Sequence, residues 1–247
     1  LDLERTAAQA VERAVRLLGA GRVPSGRVSV VFDPWVTAQF LSIIGESFSG
    51  TEVLKGRSFL ADRRGESIAP AFVTLLDDPT DARWPSATPV DAEGLATRRN
   101  VLIDAGVVDG FVHDGYSARA LGAVSTGSAV RAGFKSTPGA GTQSLSLLPG
   151  DQSPADILRS VGDGIYVFEV QGLHSGVNPV SGDFSTGIEG VVIRDGELAE
   201  PVKEVTIAST LQRMMADVTV VGDDLVAMPM DATGVTLAIG DVTLSGS

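Results

Sequence analysis

The sequence predicts an α+β fold: a largely antiparallel, curved or barrel-like β-sheet packed around a few helices. Three observations support this. Helical periodicity is long and continuous only near the start of the chain, in two segments before Ser67. From Ser67 onward short apolar runs alternate with turn signals, among them Asp77-Asp-Pro79, Asp104-Ala-Gly106, Asp109-Gly110 and Asp195-Gly196. With 43% hydrophobic and 20% charged residues over 247 positions, the chain can close a core without disulfides, and it has no cysteine to form them.

The elements follow in chain order. Leu3 to Leu18 places Ala7, Ala10, Val11, Ala14, Val15 and Leu18 three or four residues apart, an amphipathic helix stopped at Gly19-Ala-Gly21. Pro24-Ser-Gly26 reads as a linker or turn, and Val28–Phe32 as a buried strand. Asp33 and Pro34 suit the N-cap and first turn of a second helix, running to about Phe48. That helix is apolar around most of its circumference (Val36, Ala38, Phe40, Leu41, Ile43, Ile44), so it should be covered on several sides. Hairpins are predicted for Val101–Ile103 with Val107–Val112, and for Val191–Arg194 with Glu197–Ala199 across Asp195-Gly196. Further strands are expected at Gln143–Leu147, Ile165–Val170, Val218–Val221, Leu225–Met228 and Val235–Ile239. Short helices are expected at Ser117–Leu121 and after the Ser153-Pro154 cap.

Charge and composition exclude several classes. With 19 Lys and Arg against 31 Asp and Glu, the formal charge is −12, and the densest basic spots are only Arg63–Arg64 and Arg98–Arg99. Counterion release needs clustered cations, so neither nucleic acid nor an anionic membrane is an expected partner. The longest uncharged stretch, Ser136–Gly150, is Gly/Ser/Thr-rich and too short to span a bilayer. The charged opening, Leu1-Asp-Leu-Glu-Arg, does not resemble a signal peptide, and Leu in place of Met points to a fragment or processed chain. A soluble cytoplasmic protein is the expectation.

The residues that carry chemistry are sparse. His113 and His174 are the only histidines, far apart and without ligand-spaced neighbours, so no zinc motif of the HExxH or cysteine type exists. Glycines at 127–141 form no phosphate loop: Gly127 and Gly133 are six residues apart, and Phe134 separates Gly133 from Lys135-Ser136, so the GxxxxGK[ST] spacing is not met. Ser175 beside His174, with Asp183 downstream, leaves open a metal-independent hydrolase, although adjacent residues rarely converge as nucleophile and base. Gly172–Gly187 is the most informative segment, dominated by Gly, Ser, Asn, Pro and Asp. Its backbone and the side chains of His174, Ser175, Asn178, Asp183 and Ser185, with Gly176 allowing close approach, are candidates to pair an extended peptide. The competing reading is a complicated turn between strands, with Asp183 capping Ser181-Gly182.

Gly172–Gly190, followed by Pro201-Val-Lys-Glu-Val-Thr-Ile-Ala208, resembles the C-terminal domain of the TldD/PmbA family, the modulators of DNA gyrase. Gly56–Leu60, Ser117–Gly127 and Val220–Leu225 extend the resemblance in the same order, and within the family the chain is similar to the PmbA (TldE) side. The resemblance implies a helix and linker at residues 1–22 from a mostly absent preceding domain, and a PmbA/TldD-type C-terminal domain over 23–247. It also implies a metallopeptidase lineage whose TldD side holds zinc on an HExxxH helix and a later cysteine. Laid on Leu41-Ser-Ile-Ile-Gly-Glu46, the ligand positions are Leu41 and Glu46 and the general-base position is Ser42. The resemblance therefore implies no catalytic residue, metal ligand or cofactor in this chain, with zinc in a TldD-like partner. It implies a non-catalytic subunit of a heterodimer that processes short unfolded peptides. A homodimer in isolation, or a stand-alone peptide-binding module, remains open.

Overall fold

A computed structural model describes residues 3–246. In chain order the elements are α1 (Leu3–Arg16), β1 (Gly26–Phe32), α2 (Pro34–Glu46), α3 (Gly50–Leu54), β2 (Leu75–Asp77), β3 (Asn100–Asp104), β4 (Val107–Val108) and α4 (Gly115–Leu121). After these come β5 (Ala129–Val130), β6 (Gly139–Ala140), β7 (Leu145–Leu147), α5 (Pro154–Val161), β8 (Gly164–Gln171) and α6 (Leu173–Gly176). The chain ends in β9 (Asp183–Arg194), β10 (Glu197–Thr210), α7 (Leu211–Ala216), β11 (Val218–Val221) and β12 (Leu237–Ser245).

Strands β1-β8-β9-β10-β12 close on themselves through a β1–β12 pairing, with β11 attached to β12. Only β1–β8 is parallel; the other barrel pairs are antiparallel, as the sequence predicts for most of the sheet. An antiparallel sheet, β4-β3-β2-β7, and the small β5–β6 hairpin lie beside the barrel. Closure demands curvature, and register shifts supply it. In β10 the shift between Val202 and Val205 contains Glu204 at φ 56°, and β12 carries Asp241 at φ 51°. The β9–β10 hairpin turns on Asp195 (φ 50°) and Gly196 (φ 80°), the left-handed pair that a two-residue turn requires.

Helix α2 is the organising element. Asp33 caps it by accepting a hydrogen bond from the Val36 amide at 2.9 Å, and Arg13 of α1 pairs with the same carboxylate. Val36, Phe40, Leu41 and Ile44 are buried in one cluster with barrel residues (Phe32, Val167, Ile207, Ile239) and residues of the second sheet (Leu75, Ile103, Leu145). Phe40 meets Phe32 and Phe184 edge-on, with ring centroids 5.9 and 6.4 Å apart. The helix thus packs against both layers, which explains its nearly continuous apolar surface. Val31, pointing the opposite way from Val30 and Phe32, packs under Ile157 of α5 on the outer face of the barrel.

Several expectations need correction. Leu225–Met228 is not a strand; only Val226 bridges to Gly234, because the run covers the core and does not extend a ladder. Asp109-Gly110 is not a hairpin turn: the β3–β4 turn is Ala105-Gly106, and after Val108 the chain leaves the sheet to bond Phe48 and Gly50 through Val112. The expected loop of Gly172–Gly187 is shorter, since α6 occupies its start and β9 begins at Asp183. The apolar residues Val11, Val15 and Leu18 of the first segment stay exposed, with no described residue covering them. No helix among the described residues is long and apolar enough to cross a membrane.

Candidate functional site

With one side of α2 buried, Ser42 and Glu46, one turn apart, share its remaining face. They form the floor of a cleft of about 740 Å³. Residues 136–142, around β6, build one wall; α3 and the residues after it (Glu52, Lys55, Arg57) build another, and Pro179 and Val180, from the turn before β9, and Asp231 add to the lining. Gly45 lets the wall close in. A β-carbon there would lie 2.6 Å from Leu145 Cδ1 and 2.7 Å from Thr142 Oγ1, too close for any other residue without displacement.

The cleft floor is acidic and only partly neutralised. Ser42 Oγ lies 2.7 Å from Asp231 Oδ1 and 3.1 Å from the Ala38 carbonyl, so its single proton goes to the nearer carboxylate. Glu52 is fully engaged: Arg57 grips both its oxygens at 2.7 and 2.8 Å and holds its carboxyl below the usual range. Glu46 has no such partner among the described residues. Partial burial, and then the charges of Glu52 and Asp231, push its carboxyl up. The two cations of the lining, Arg57 and Lys55, are both paired with Glu52, which leaves the carboxyls of Glu46 and Asp231 to accept an ammonium group, and the hydroxyls and backbone of the cleft can bond a peptide main chain.

The donor set does not fit zinc. Leu41 is fully buried in the core and presents no ligand atom; Ser42 is a hydroxyl already bonded to a carboxylate; Glu46 is one oxygen donor. Among the described residues no three His, Cys, Asp or Glu are placed to hold a metal ion. A zinc site needs three protein ligands.

Of the six peptide-pairing candidates, Ser175, Gly176, Asn178, Asp183 and Ser185 do not line this cleft. The side chain of His174 lies outside the described residues; its backbone is part of α6. Ser175 Oγ is exposed and donates to the Gly172 carbonyl at 3.3 Å. Gly176 does allow close approach, but to its own barrel: a β-carbon would sit 2.0 Å from the Ser185 carbonyl oxygen. Asn178 Oδ1 accepts from the Val180 and Ser181 amides at 2.9 and 3.2 Å, and Asp183 Oδ2 accepts from Ser181 Oγ at 2.6 Å. Ser185 is exposed on β9, paired with Ala208 of β10. The polar residues of the segment therefore fold its turn and thereby present Pro179 and Val180 to the cleft. Asp231 and Thr142 escaped sequence reasoning. Thr142 follows a glycine cluster discarded as a phosphate loop, and Asp231 carries no local signal at all.

Comparisons with known proteins agree with the geometry. Residues 25–246 match the family described as the PmbA/TldA metallopeptidase C-terminal domain. A metalloprotease of Methanothermobacter thermautotrophicus is 34% identical over 90% of this chain and 49% of its own length. The metalloprotease PmbA of Escherichia coli O157:H7 is 31% identical over 90% of this chain and 47% of its own. The crystal structure of TldE from Thermococcus kodakarensis superposes with a TM-score of 0.92 at 29% identity, covering 100% of this chain and 56% of that one. The chain thus spans about half the length of the relatives it matches.

Proposed function

Because the chain belongs to the PmbA/TldD metallopeptidase family, we propose that it is the non-catalytic subunit of a TldD/TldE-type peptidase complex, contributing a groove for short extended peptides. One observation carries this reading. The cleft over α2 is intact as a cavity, while the residues at the family's metal and base positions are a buried Leu41, a hydrogen-bonded Ser42 and a lone Glu46. Zinc and the base for its water belong, in this proposal, to a TldD-like partner. Within this chain, Glu46 and Asp231 receive the ammonium group of a peptide, and residues 136–142 supply main-chain hydrogen-bonding groups along the wall. Asn178 and Asp183 are positioning residues that hold the Pro179-Val180 turn.

The test is co-expression with a TldD-like subunit, followed by metal analysis of each chain and peptidase assays of the parts and the complex. The expected result is zinc and activity only where the TldD-like chain is present, with Glu46→Gln weakening peptide capture by the complex. Stoichiometric zinc in this chain alone, or chelator-sensitive peptidase activity from it alone, would falsify the proposal. Chelator-resistant hydrolysis lost on Ser175→Ala would favour the metal-independent hydrolase, and peptide capture with no partner association would favour a stand-alone binding module.

A further inference from the structure

One arginine from each of the two basic pairs of the sequence comes to the same place. Arg64 and Arg99 line one cleft of about 450 Å³, with Phe111, His113 and Val124 among its other walls. It shares no lining residue with the cleft over α2. In a chain of net charge −12 this is a place where two cations gather.

The cations are held in place and remain available. Arg64 Nε donates to the Asp109 carbonyl at 2.7 Å, and the flanking Gly65 amide donates to the Val108 carbonyl at 2.8 Å, so the guanidinium is pinned beside β4. Its two Nη groups make no hydrogen bond among the described residues. Arg99, just before β3, has its Nε 3.9 Å from Asp78 Oδ2, a loose pairing at the limit of an ion pair. Asp109 is the only carboxylate of the lining among the described residues, and with Arg99 shared with Asp78, Arg64 is the cation left to a ligand. Val124 is 79% exposed on the rim, and Phe111 is half-buried and packs on Phe48.

His113 reports on this field. Burial lowers its pKa first; Asp114 opposes that, and the Arg64 charge lowers it further, which places Arg64 within electrostatic reach of the ring. Ser117 Oγ gives its proton to Asp114 Oδ1 at 2.5 Å and so can only accept from His113 Nδ1, 3.4 Å away. The neutral ring therefore carries its proton on Nδ1 and leaves Nε2 bare.

We propose that this cleft binds a monovalent carboxylate borne next to an apolar side chain, the chemistry of a peptide's C-terminal residue. A guanidinium with both Nη free matches a carboxylate's two oxygens, and Val124 and Phe111 supply apolar surface beside it. With Arg99 shared with Asp78, the single guanidinium of Arg64 matches a monoanion, whereas a phosphate dianion would be left in excess. The inference stands independently of the peptidase reading.

The experiment is an NMR titration of the His113 ring in the whole chain, its signal assigned by the variant His174→Gln. The probes are N-acetylleucine, N-acetylleucinamide, acetate and inorganic phosphate. A bound carboxylate offsets the charge of Arg64, so N-acetylleucine should raise the His113 pKa saturably, and the uncharged amide should not. Arg64→Gln should itself raise that pKa and weaken N-acetylleucine about tenfold. Val124→Ser should weaken N-acetylleucine and leave acetate unchanged. No saturable shift up to about 50 mM N-acetylleucine, an equal response to the amide, or tighter binding of phosphate would each overturn the proposal. These comparisons among ligands are made on the wild-type protein and do not depend on the Arg64 or Val124 variants folding.

Discussion

Leu41 shows how one side chain can settle what a helix does. It is completely enclosed on α2 at a position the family resemblance assigns to a metal ligand, and here it joins the barrel to the second sheet. Leu41→Ala should cost about 2–5 kcal/mol in denaturant unfolding, with an unchanged m-value; a cost below about 0.5 kcal/mol would contradict the burial. Asp77 is the opposite case, a polar group in the core. Its Oδ1 accepts from the Gln143 and Ser144 amides at 2.8 and 2.7 Å, anchoring the chain just after the cleft wall, while Oδ2 has no partner. Burial pushes its carboxyl up to about 6, only partly offset by those amides. A carboxyl that holds its proton to higher pH in the folded state costs stability as pH rises. The loss begins near the unfolded value of about 4, is complete just above pH 6, and amounts to about 3 kcal/mol for a two-unit shift. Asp77→Asn keeps an acceptor for both amides and cannot ionise. Between pH 4 and about 7 its stability relative to wild type should therefore rise with pH; parallel stability curves would show that Asp77 does not titrate in this window.

Elements whose causes are local were legible, and those made by distant contacts were not. The start of α2 is written in Asp33-Pro34, and the cap forms as expected. The β9–β10 hairpin is written in Asp195-Gly196, and both residues take the left-handed conformation that the turn needs. The Asp33 cap can be tested directly. Asp33→Ala removes the acceptor for the Val36 amide and the partner of Arg13, and should cost about 1–2 kcal/mol; Asp33→Asn keeps the cap and should recover most of that. Equal losses in both variants would mean that the ion pair, and not the cap, carries the effect. By contrast, β2, β5 and β6 are two or three residues long and exist only because a partner strand lies alongside, so no periodicity announces them. The apolar run Leu225–Met228 has the composition of a strand but no neighbour to pair with beyond one bridge. The cleft was illegible for the same reason: Ser42 meets Asp231 across 189 positions of sequence, and Gly45 matters only because Leu145 and Thr142 arrive beside it.

At the scale of the whole molecule, the barrel is closed by the two ends of the described domain. Gly26 lies opposite Leu244, and the Gly246 amide donates to Ser25 Oγ at 3.0 Å, so the first and last strands complete the cylinder. Each doubling of a closed loop adds only about 0.6 kcal/mol, so this span is tolerable at equilibrium. Kinetically it is severe, because the closing contacts are among the most distant in the chain and give no return until nearly everything between them is ordered. Strand β12 raises the stakes by pairing with β1, β10 and β11 at once. A circular permutant isolates the effect. Joining Gly246 to Val23 through a short Gly/Ser linker makes β12–β1 a local hairpin, and new termini fit at Phe134, which is 88% exposed between β5 and β6. The permutant should show the near-ultraviolet circular dichroism of the unpermuted 23–246 domain and stability within about 1–2 kcal/mol of it, since every strand pairing is retained. Its refolding, followed by tryptophan fluorescence, should be faster by about tenfold or more, because the costliest loop has been removed from the path to the native state. An unchanged refolding rate with native stability would place the slow step elsewhere, in the docking of α2 between the two layers.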